Sequence, residues 1–315
     1  MASPPRFPLF DRPSPLQPLP RFCDALGGRA EIWIKREDLL PLAFGGNKLR
    51  NLEFLVGAAL AEGADTLITS GRRWSNHARL TAAAGARAGL VVHLVLSGPP
   101  VDPPGPGVRL ARAFGATVHQ LATADRDERE AKVAEISADV AAGGGRPYVI
   151  GVGGTGAVGA YGQLLAAEEV VAQADELALG IDRVVLATAT GGTQAGLVAG
   201  LRPATKVTGM VVARTADELR PVIARTAAEL GALVGAAEID LDERFIGAGY
   251  GRPTEAAQEA ADLLARTEAI LVDPIYTAKA LAGLTAGVRS GAWEGERIVF
   301  WHAGGLPGLF EPLDA

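Results

Sequence analysis

Short apolar runs rich in β-branched residues alternate with longer Ala- and Leu-rich segments from residue 30 onward, and this rhythm limits the fold more than any other feature. Residues 31–35 (EIWIK) predict a strand. Residues 48–61 predict a helix, because their apolar residues recur three or four positions apart. Parallel strands need crossover connections, which helices usually supply. The alternation therefore predicts an α/β fold with parallel sheets flanked by helices.

The same pattern assigns elements along the rest of the chain. Further strands are predicted at 66–69, 91–96, 117–121, 183–187, 206–213 and 297–301. Further helices are predicted at 75–87, 108–114, 125–142, 157–174, 193–201, 216–230, 254–266 and 276–288. The Pro- and Gly-rich residues 96–107 predict a surface loop, and the Gly-rich residues 151–162 predict a crossing between two domains.

Composition and charge exclude several classes of protein. The 315 residues are 48% hydrophobic, which predicts a packed core rather than a disordered chain. The net charge is −6 and no run of Lys and Arg forms a basic stripe, so we expect no nucleic-acid partner. Cys23 is the single cysteine and the four histidines are scattered, so we expect neither a disulfide nor a metal site. The N-terminal residues lack a signal-peptide pattern and no long apolar stretch follows, so we expect a cytoplasmic protein without a membrane partner.

The segment FGGNKLR, residues 44–50, contains a candidate reactive amine. Its two glycines let the backbone approach a ligand closely, and Lys48 follows them at the predicted start of a helix. A lysine shielded from water there favours its neutral amine, the form that makes Schiff bases with carbonyl compounds. The alternative is an ordinary solvated lysine in the first turn of an amphipathic helix.

A second segment, ATATGGTQAGL at residues 187–197, directly follows a predicted strand. A strand that turns through TGGT into a helix presents backbone N–H groups and hydroxyls at the positive end of that helix. We interpret this segment as a phosphate site, and a plain strand-to-helix turn is the alternative. The pattern GxxxxGK[ST] is missing, which disfavours hydrolysis of nucleoside triphosphates.

Residues 151–156 fit the dinucleotide-binding pattern GxGxxG. A dinucleotide fold would have this pattern after its first strand, whereas here it lies in mid-chain before a long predicted helix. We therefore interpret it as a flexible interdomain loop, and a nicotinamide cofactor is disfavoured.

These segments occur together with SNHAR at residues 75–79, GYG around Tyr250 and DPIY at residues 273–276. The set resembles the D-cysteine desulfhydrase and 1-aminocyclopropane-1-carboxylate (ACC) deaminase family. Members of that family are fold-type II enzymes that depend on pyridoxal 5′-phosphate (PLP) and are similar in plan to tryptophan synthase β. The resemblance covers nearly the whole chain, from about residue 15 to about residue 310.

The resemblance implies two domains with PLP in the cleft between them. Residues 1–48 and 157–315 would form the large PLP-binding domain, and residues 49–156 would form a smaller inserted α/β domain. It also implies a homodimer whose ligand is a small amino-acid substrate.

The resemblance further implies a role for each motif residue. Lys48 would bind PLP as a Schiff base and, once released, act as the base for the substrate Cα proton. Asn76 would contact the phenolic oxygen of PLP, and Ser75 would contact the carboxylate or leaving group of the substrate. The phosphate would be bound by Thr190, Gly191, Gly192 and Thr193. The substrate side of the ring would be lined by Tyr250 and Tyr276, with Tyr276 among the catalytic residues.

Structural alternatives exist for several of these residues. Ser75 and Asn76 have the residue types of helix caps, and the two tyrosines could be core residues. We interpret His77 and His302 as packed rather than catalytic.

The chain also departs from the family pattern. Where members usually have Gln before the SN pair, this chain has Trp74, which we expect to reshape the substrate pocket. The preceding Arg72 and Arg73 could meet an anionic group of the substrate, but we interpret them as two solvated loop residues.

Three further departures surround the expected cofactor. ACC deaminases have a glutamate after the pocket tyrosine, where this chain has Thr277. An uncharged hydroxyl holds the pyridine nitrogen protonated less well than a carboxylate, which favours β-elimination over ring opening. Ala303 stands where desulfhydrases carry a hydroxyl residue, so Thr277 remains the expected contact of that nitrogen. Ala189 replaces a usual glycine before the phosphate loop.

The sequence thus predicts a PLP-dependent lyase that deaminates a small amino acid by α,β-elimination, as D-cysteine desulfhydrase does. ACC deaminase is the first alternative. Others are a cysteate sulfo-lyase or specialised biosynthetic PLP enzyme, and a PLP-binding protein without turnover.

Overall fold

The structure, a computed structural model, describes residues 3–313. Its strands are β1 (Leu16–Pro18), β2 (Glu31–Arg36), β3 (Thr66–Arg72), β4 (Val91–Ser97), β5 (Thr117–Leu121), β6 (Pro147–Ile150), β7 (Arg183–Thr188), β8 (Lys206–Val211), β9 (Leu241–Asp242) and β10 (Arg297–His302). Its α-helices are α1 (Pro20–Ala25), α2 (Lys48–Ala61), α3 (Asn76–Ala88), α4 (Pro106–Ala113), α5 (Arg126–Ala142), α6 (Ala157–Glu176), α7 (Gly192–Gly200), α8 (Ala216–Glu229), α9 (Glu255–Glu268) and α10 (Thr277–Arg289).

These strands form two sheets. The larger has six strands in the order β1-β2-β10-β7-β8-β9, and the smaller has four in the order β5-β4-β3-β6. Every pairing is parallel except that of β1 with β2. In the larger sheet Val299 pairs with Trp33 on one side and with Val184 on the other. The predicted α/β fold with parallel sheets and flanking helices is confirmed.

Each sheet buries its own apolar core against helices. Ile34 and Phe300 of the larger sheet pack with Leu281 of α10 in a fully buried cluster. In the smaller sheet, Leu67 and Leu94 belong to a buried cluster that also includes apolar residues of α2 and α3. Burial of each such side chain stabilises the folded state by about 1.5–3 kcal/mol. The packed cores therefore hold the strands, and with them the residues at the strand ends, in place.

The pattern predicted the long elements better than the short ones. Helix α2 has the predicted bounds, 48–61. Strand β3 runs to Arg72, beyond the predicted end at residue 69, and β8 ends at Val211 rather than at residue 213. Strand β6 was missed because it has only four residues, begins with proline and shows no alternation.

Helices α6 and α7 approach each other so closely that only glycine fits between them. A Cβ atom on Gly200 would lie 2.5 Å from the Leu164 carbonyl oxygen, and one on Gly196 would overlap Gln163. On the other side of α6, a Cβ atom on Gly162 would overlap the Arg50 carbonyl oxygen of α2. The three helices are therefore in direct backbone contact. Among residues 3–313, no helix has the length and apolarity needed to cross a membrane.

Candidate active site

A cavity of about 400 Å³ lies where strands of both sheets end. Gly71 and Arg72 at the end of β3 line it, and so do the residues that follow β7 and β10. The carboxyl ends of parallel strands are the usual place for ligands in open α/β sheets. A cavity of this size suits a small cofactor with its substrate.

Lys48 projects into this cavity from the first turn of α2. Burial lowers the pKa of its amine from 10.5 to about 8, because the charged form loses its hydration. Among the residues that the structure describes, its Nζ has no hydrogen-bond or ion-pair partner. Lys279 has a similarly lowered pKa of about 8, but its Nζ donates to the carbonyls of Ile246 and Gly249 at 2.7 and 3.0 Å. Of these two buried lysines, only Lys48 is free to react.

The backbone before Lys48 explains why this amine faces the cavity. Gly45 and Gly46 have φ angles of +64° and +122°, which side chains rarely adopt. A Cβ atom on Gly46 would lie 3.2 Å from the Ala303 carbonyl oxygen, and Asn47 donates its backbone N–H to the same oxygen at 3.0 Å. The start of α2 is thus attached to the end of β10, as the two glycines allow.

The predicted phosphate segment forms an amide cradle at the start of α7. Gly191 has φ +88° and is the N-cap, and no side chain caps the helix. The first backbone N–H groups of α7 are therefore left for a ligand. Thr190 Oγ1 accepts a hydrogen bond from Thr155 Oγ1 at 2.7 Å, and Thr193 Oγ1 accepts one from Asn47 Nδ2 at 2.9 Å. This cradle fits a phosphate group, and the buried amine of Lys48 fits the aldehyde of PLP.

Three of the four predicted phosphate residues line the cavity, namely Thr190, Gly191 and Thr193. Gly192 does not line it, but it is buried at the first position of α7. A Cβ atom there would lie 3.2 Å from Thr155 Oγ1. The absence of a side chain at Gly192 therefore leaves room for the neighbouring loop, and its phosphate contact stays a prediction.

The start of α3 forms another part of the cavity wall. Ser75 is the N-cap, and its Oγ accepts a hydrogen bond from the Ala78 N–H at 3.2 Å. Both Ser75 and Asn76 line the cavity, so for Ser75 the capping role and the site role coexist. The backbone N–H groups of Asn76 and His77 are left unused by this cap. Two unused N–H groups at a helix start can bind an anion.

His77 lines the cavity beside Lys48 and is neutral. Burial lowers its pKa to about 3, and the positive charge of Lys48 contributes. Thr69 Oγ1 donates to the Ile150 carbonyl at 2.8 Å, so His77 Nε2 donates to Thr69 at 3.0 Å. His302 is buried away from the wall, where its Nε2 lies 2.8 Å from the Leu271 carbonyl oxygen.

Tyr250 and Tyr276 meet on the cavity wall with their hydroxyl oxygens 2.5 Å apart. Burial raises the pKa of both phenols. They are therefore protonated at neutral pH, and one proton lies between the two oxygens. The other hydroxyl proton is available to a bound ligand.

Asp273 of the DPIY motif is buried beneath these tyrosines and organises the start of α10. Its carboxylate accepts the backbone N–H groups of Ile275 and Tyr276 at 3.0 and 2.8 Å. Thr277 Oγ1 donates to it at 2.6 Å and accepts the Asp273 N–H at 2.9 Å. Burial raises the pKa of Asp273, and these hydrogen bonds oppose the rise. Sequence reasoning gives this aspartate no role, although Asp side chains commonly accept the backbone N–H groups two and three residues further on.

The segment before the SN pair differs from the prediction. Arg72 and Arg73 are not solvated loop residues, because Arg73 is buried and Arg72 is half-buried on the cavity wall. Trp74 does not line the cavity. Its ring packs edge-on against Tyr250, with the ring centroids 5.9 Å apart. The indole therefore supports the pocket tyrosine from behind.

Residues 151–156 are also more than the flexible linker that we expected. Val152 and Gly153 line the cavity, in a short 3₁₀ turn between β6 and α6. Thr155 holds Thr190, and the Gly154 carbonyl accepts from Asn51 Nδ2 at 3.2 Å. The segment is a wall of the cavity that braces the phosphate cradle.

Sequence reasoning missed the charged residues at the mouth of the cavity. These are Arg126, Arg129, Arg214 and Glu218. They follow strand ends that the pattern had located, but no motif pointed to them. No group of three or more potential metal ligands occurs in the part of the chain that the structure describes.

Comparison with known proteins agrees with this geometry. Residues 8–304 match the protein family described as "Pyridoxal-phosphate dependent enzyme". D-cysteine desulfhydrase of Salmonella typhi is 43% identical over 317 residues, covering 97% of this chain and 95% of that protein.

Solved structures extend the comparison. An ACC deaminase homologue is 33% identical with a TM-score of 0.87, covering 98% of this chain and 94% of its own. The processed form of threonine deaminase isoform 2 from Solanum lycopersicum shares the fold, at 22% identity and a TM-score of 0.66, with 93% of this chain and 83% of its own covered. The predicted cofactor and the predicted resemblance are both confirmed: this chain belongs to the family of pyridoxal-phosphate dependent enzymes.

Proposed function

We propose that this protein is a PLP-dependent lyase that removes a leaving group from Cβ of a small amino acid and releases a keto acid and ammonia. The observation that carries the proposal is the amine of Lys48. It is buried and unpartnered among the described residues, and it shares its cavity with an amide cradle at a helix start. The identity to D-cysteine desulfhydrases over nearly the whole chain supports the reaction type.

Four parts of the chain would hold the cofactor. Lys48 would bind the aldehyde carbon and the start of α7 the phosphate, with Asn76 at the phenolic oxygen. Thr277 stays our predicted contact of the ring nitrogen. Its hydroxyl donates to Asp273 and accepts one N–H, so it has one lone pair left and can only accept. It therefore suits a protonated nitrogen, supported from behind by the Asp273 carboxyl.

The bound cofactor withdraws electrons from Cα of the substrate, which makes the Cα proton acidic. Lys48 is the group that would take this proton, since an amine with a pKa of about 8 is partly neutral near pH 7. The unused N–H groups at the start of α3 would bind the α-carboxylate, with Ser75 beside them. The Tyr250–Tyr276 pair would donate a proton to the leaving group, and Tyr276 is the member that we assign to catalysis.

The test is chemical trapping. Borohydride reduction of the holoenzyme followed by peptide mass mapping should label Lys48 and leave Lys279 unlabelled, although burial lowers the pKa of both lysines to about 8. Label on Lys279, or on neither lysine, would remove the basis of the proposal.

Turnover is tested separately with D- and L-cysteine, β-chloroalanine, serine, cysteate and ACC, by measuring keto acid. Product from a β-substituted amino acid supports elimination. Product from ACC alone would make ring opening the reaction, the activity for which the homologous structure is named. A spectral change on amino-acid addition without any product would favour a binding protein.

We also propose the larger organisation that the family resemblance implies. The smaller sheet draws all its strands from residues 66–150, which supports an inserted domain of residues 49–156 within a large domain of residues 1–48 and 157–315. A homodimer and a cytoplasmic location complete the proposal. Light scattering of the purified protein tests the dimer, for which one chain mass is 32.4 kDa.

A further inference from the structure

Two guanidinium groups reach the same point of the cavity wall, at the carboxyl end of β4. Arg72 ends β3, and its Cζ would lie 3.8 Å from a Cβ atom on Gly98. Arg129 of α5 donates from Nη1 to Ser97 Oγ at 3.2 Å. Because Ser97 and Gly98 are consecutive, the two cations are neighbours. Both line the cavity.

These arginines act on the tyrosine side of the cavity. Burial raises the pKa of Tyr250 and Tyr276, and the positive charge of Arg72 opposes that rise in both. Burial likewise lowers the pKa of Arg129. The charge of Glu130 opposes this shift, and repulsion from Arg72 adds to it. The positive charge of these arginines therefore acts beside the two tyrosines, where the side chain of a substrate would lie.

Within residues 3–313, no carboxylate forms a salt bridge with Arg72 or Arg129, and the buried Nε atom of each has no hydrogen-bond partner. The charge of Glu130 attracts Arg129, but the salt bridge of Glu130 is with Arg126, at 2.7 Å. By contrast, Arg50 is held by Glu37 and Glu169 at 2.8 and 2.7 Å. A buried donor without an acceptor costs about 1–3 kcal/mol. Such groups are retained where a ligand supplies the acceptor.

Trp74 and Arg73 keep Arg72 in position. The Arg72 guanidinium lies 5.3 Å from the centroid of the Trp74 ring, and that of Arg73 lies 4.7 Å from it. Arg73 also donates to the Pro312 carbonyl at 2.7 Å. A planar cation against an indole loses little further freedom when it binds an anion. Residues 72–74 (RRW) thus hold the Arg72 guanidinium against the ring of Trp74. Within this segment Trp74 departs from the family pattern.

The cavity already offers one site for the phosphate of the cofactor and one for the α-carboxylate of the substrate. The start of α7 suits the cofactor phosphate and the start of α3 suits the α-carboxylate. The guanidinium of Arg72 packs on Trp74, which in turn packs on Tyr250, so the arginine pair adjoins the two tyrosines. It is therefore available for a third anion, which only the substrate side chain can carry.

We propose that the substrate is an amino acid whose Cβ carries a strongly acidic oxyanion, a sulfonate or a phosphate ester, bound by Arg72 and Arg129. This inference rests on the proposed elimination. The Cα proton passes to Lys48, and the bond from Cβ breaks with both electrons going to the leaving group. A sulfonate leaves as sulfite and a phosphate ester as phosphate, each with one more negative charge than before until it takes a proton from the Tyr250–Tyr276 pair. The remaining 2-aminoacrylate takes up water to give pyruvate and ammonia.

This change of charge explains why unpaired arginines belong at the site. The leaving oxyanion becomes more negative as the bond breaks, so fixed cations stabilise the transition state more than the bound substrate. A neutral thiol substrate would present no charge to them before the bond breaks.

The experiment compares kcat/KM for cysteate and O-phosphoserine, in both configurations, with kcat/KM for D-cysteine and β-chloroalanine. The wild-type holoenzyme should prefer an oxyanionic substrate, and the better of the two identifies the group. Arg72→Gln should lower the ratio of oxyanionic to neutral substrates by about 10- to 100-fold. Arg112→Gln, an exposed arginine of α4, should leave the ratio unchanged.

Trp74→Leu tests the positioning role. It should lower kcat for the oxyanionic substrate more than it raises KM. The same variant should weaken inhibition by 3-sulfopropanoate but not by butanoate. Equal inhibition by these two acids in the wild type would overturn the proposal.

The proposal also falls if Arg72→Gln lowers all substrates alike, or if it weakens PLP binding, since the arginine would then serve the cofactor. Rapid turnover of D-cysteine with no turnover of the oxyanionic substrates would overturn this inference and leave the elimination intact. Failure of borohydride to label Lys48 would instead remove the elimination itself.

Discussion

The two sides of the cavity are built on different principles. On the cofactor side, the threonine hydroxyls are held by neighbouring polar groups, and the anion sites are backbone N–H groups at helix starts. On the side of Arg72 and Arg129, the side-chain cations form no salt bridge among the described residues. Backbone sites keep their shape whatever the side chains are, whereas side-chain cations change with single substitutions. If our assignments hold, substitutions should therefore change the arginine side of the cavity more readily than the cofactor side.

Of the substitutions that test this difference between the two sides, replacement of Lys48 should have the largest effect. Lys48→Ala should abolish the visible cofactor band and lower turnover of every substrate by about 10³-fold or more, because both the covalent link and the base are lost. Absorbance and keto-acid release measure the two effects. A variant that retained activity with one class of substrate would break the division into a cofactor side and a substrate side.

A smaller effect is expected at the amide cradle. In Gly191→Ala the new methyl group would meet Ile223 Cγ1 at 2.7 Å in a backbone with φ +88°, so the loop must shift. The strained conformation costs about 1–2 kcal/mol, and PLP affinity should fall about tenfold for a loss of that size.

Gly115→Ala is the matched control, because Gly115 has φ +83° with no atom within 4 Å of the added Cβ. The Gly115→Ala variant should be less stable than the wild type but should keep its PLP affinity. Fluorescence titration of the apoenzyme with PLP measures that affinity. Equal PLP affinity in the two variants would contradict the cradle assignment.

The helix start at α3 offers a finer comparison. Ser75→Ala removes a cap hydrogen bond of 3.2 Å, and Thr254→Ala removes one of the same length at the start of α9. Each should lower the free energy of unfolding by about 1 kcal/mol. Only Ser75→Ala should also raise KM, since only Ser75 lines the cavity. Denaturant unfolding and steady-state kinetics measure the two effects. If Ser75→Ala lowers stability without raising KM, Ser75 has only the capping role.

The last comparison concerns a pH dependence of the apoenzyme, which changes no contact with the ligand. Lys48 has a pKa of about 8 in the folded protein and 10.5 as an ordinary lysine, so between these values the unfolded chain binds more protons at this residue. The free energy of unfolding should therefore rise with pH from about 8 to 10.5. Lys48→Met should reduce that slope, and Lys279, which has the same shift, should keep part of it in both proteins. Identical slopes would mean that Lys48 is not shielded from water.

The long elements could be predicted because local patterns determine them. Helix α2 has its predicted bounds, since its apolar period and Gly63 after it are both local signals. Lys48 and residues 190–193 were proposed from their motifs and the family resemblance, and the structure places Lys48 in one cavity with Thr190, Gly191 and Thr193. The burial of Lys48 and its lack of a partner needed the structure.

What could not be predicted depends on contacts between distant segments. From the sequence we predicted that Arg73 is a solvated loop residue. In the structure it is buried and donates to the carbonyl of Pro312, 239 positions away. The GxGxxG segment reads as a linker, yet Thr155 contacts Thr190. A hydrophobic pattern reports which face of an element is buried, and it says nothing of which polar group lies there.

The glycine contacts between α6 and α7 have a consequence for ligand binding. Because Gly196 and Gly200 bring the two backbones together, α7 has little room to tilt or slide. The amides at its start are therefore preorganised: their order is established when the chain folds, and a phosphate that arrives gives up mainly its own motion. Any larger residue at Gly200 would loosen the anchor of a cradle that lies two helical turns away.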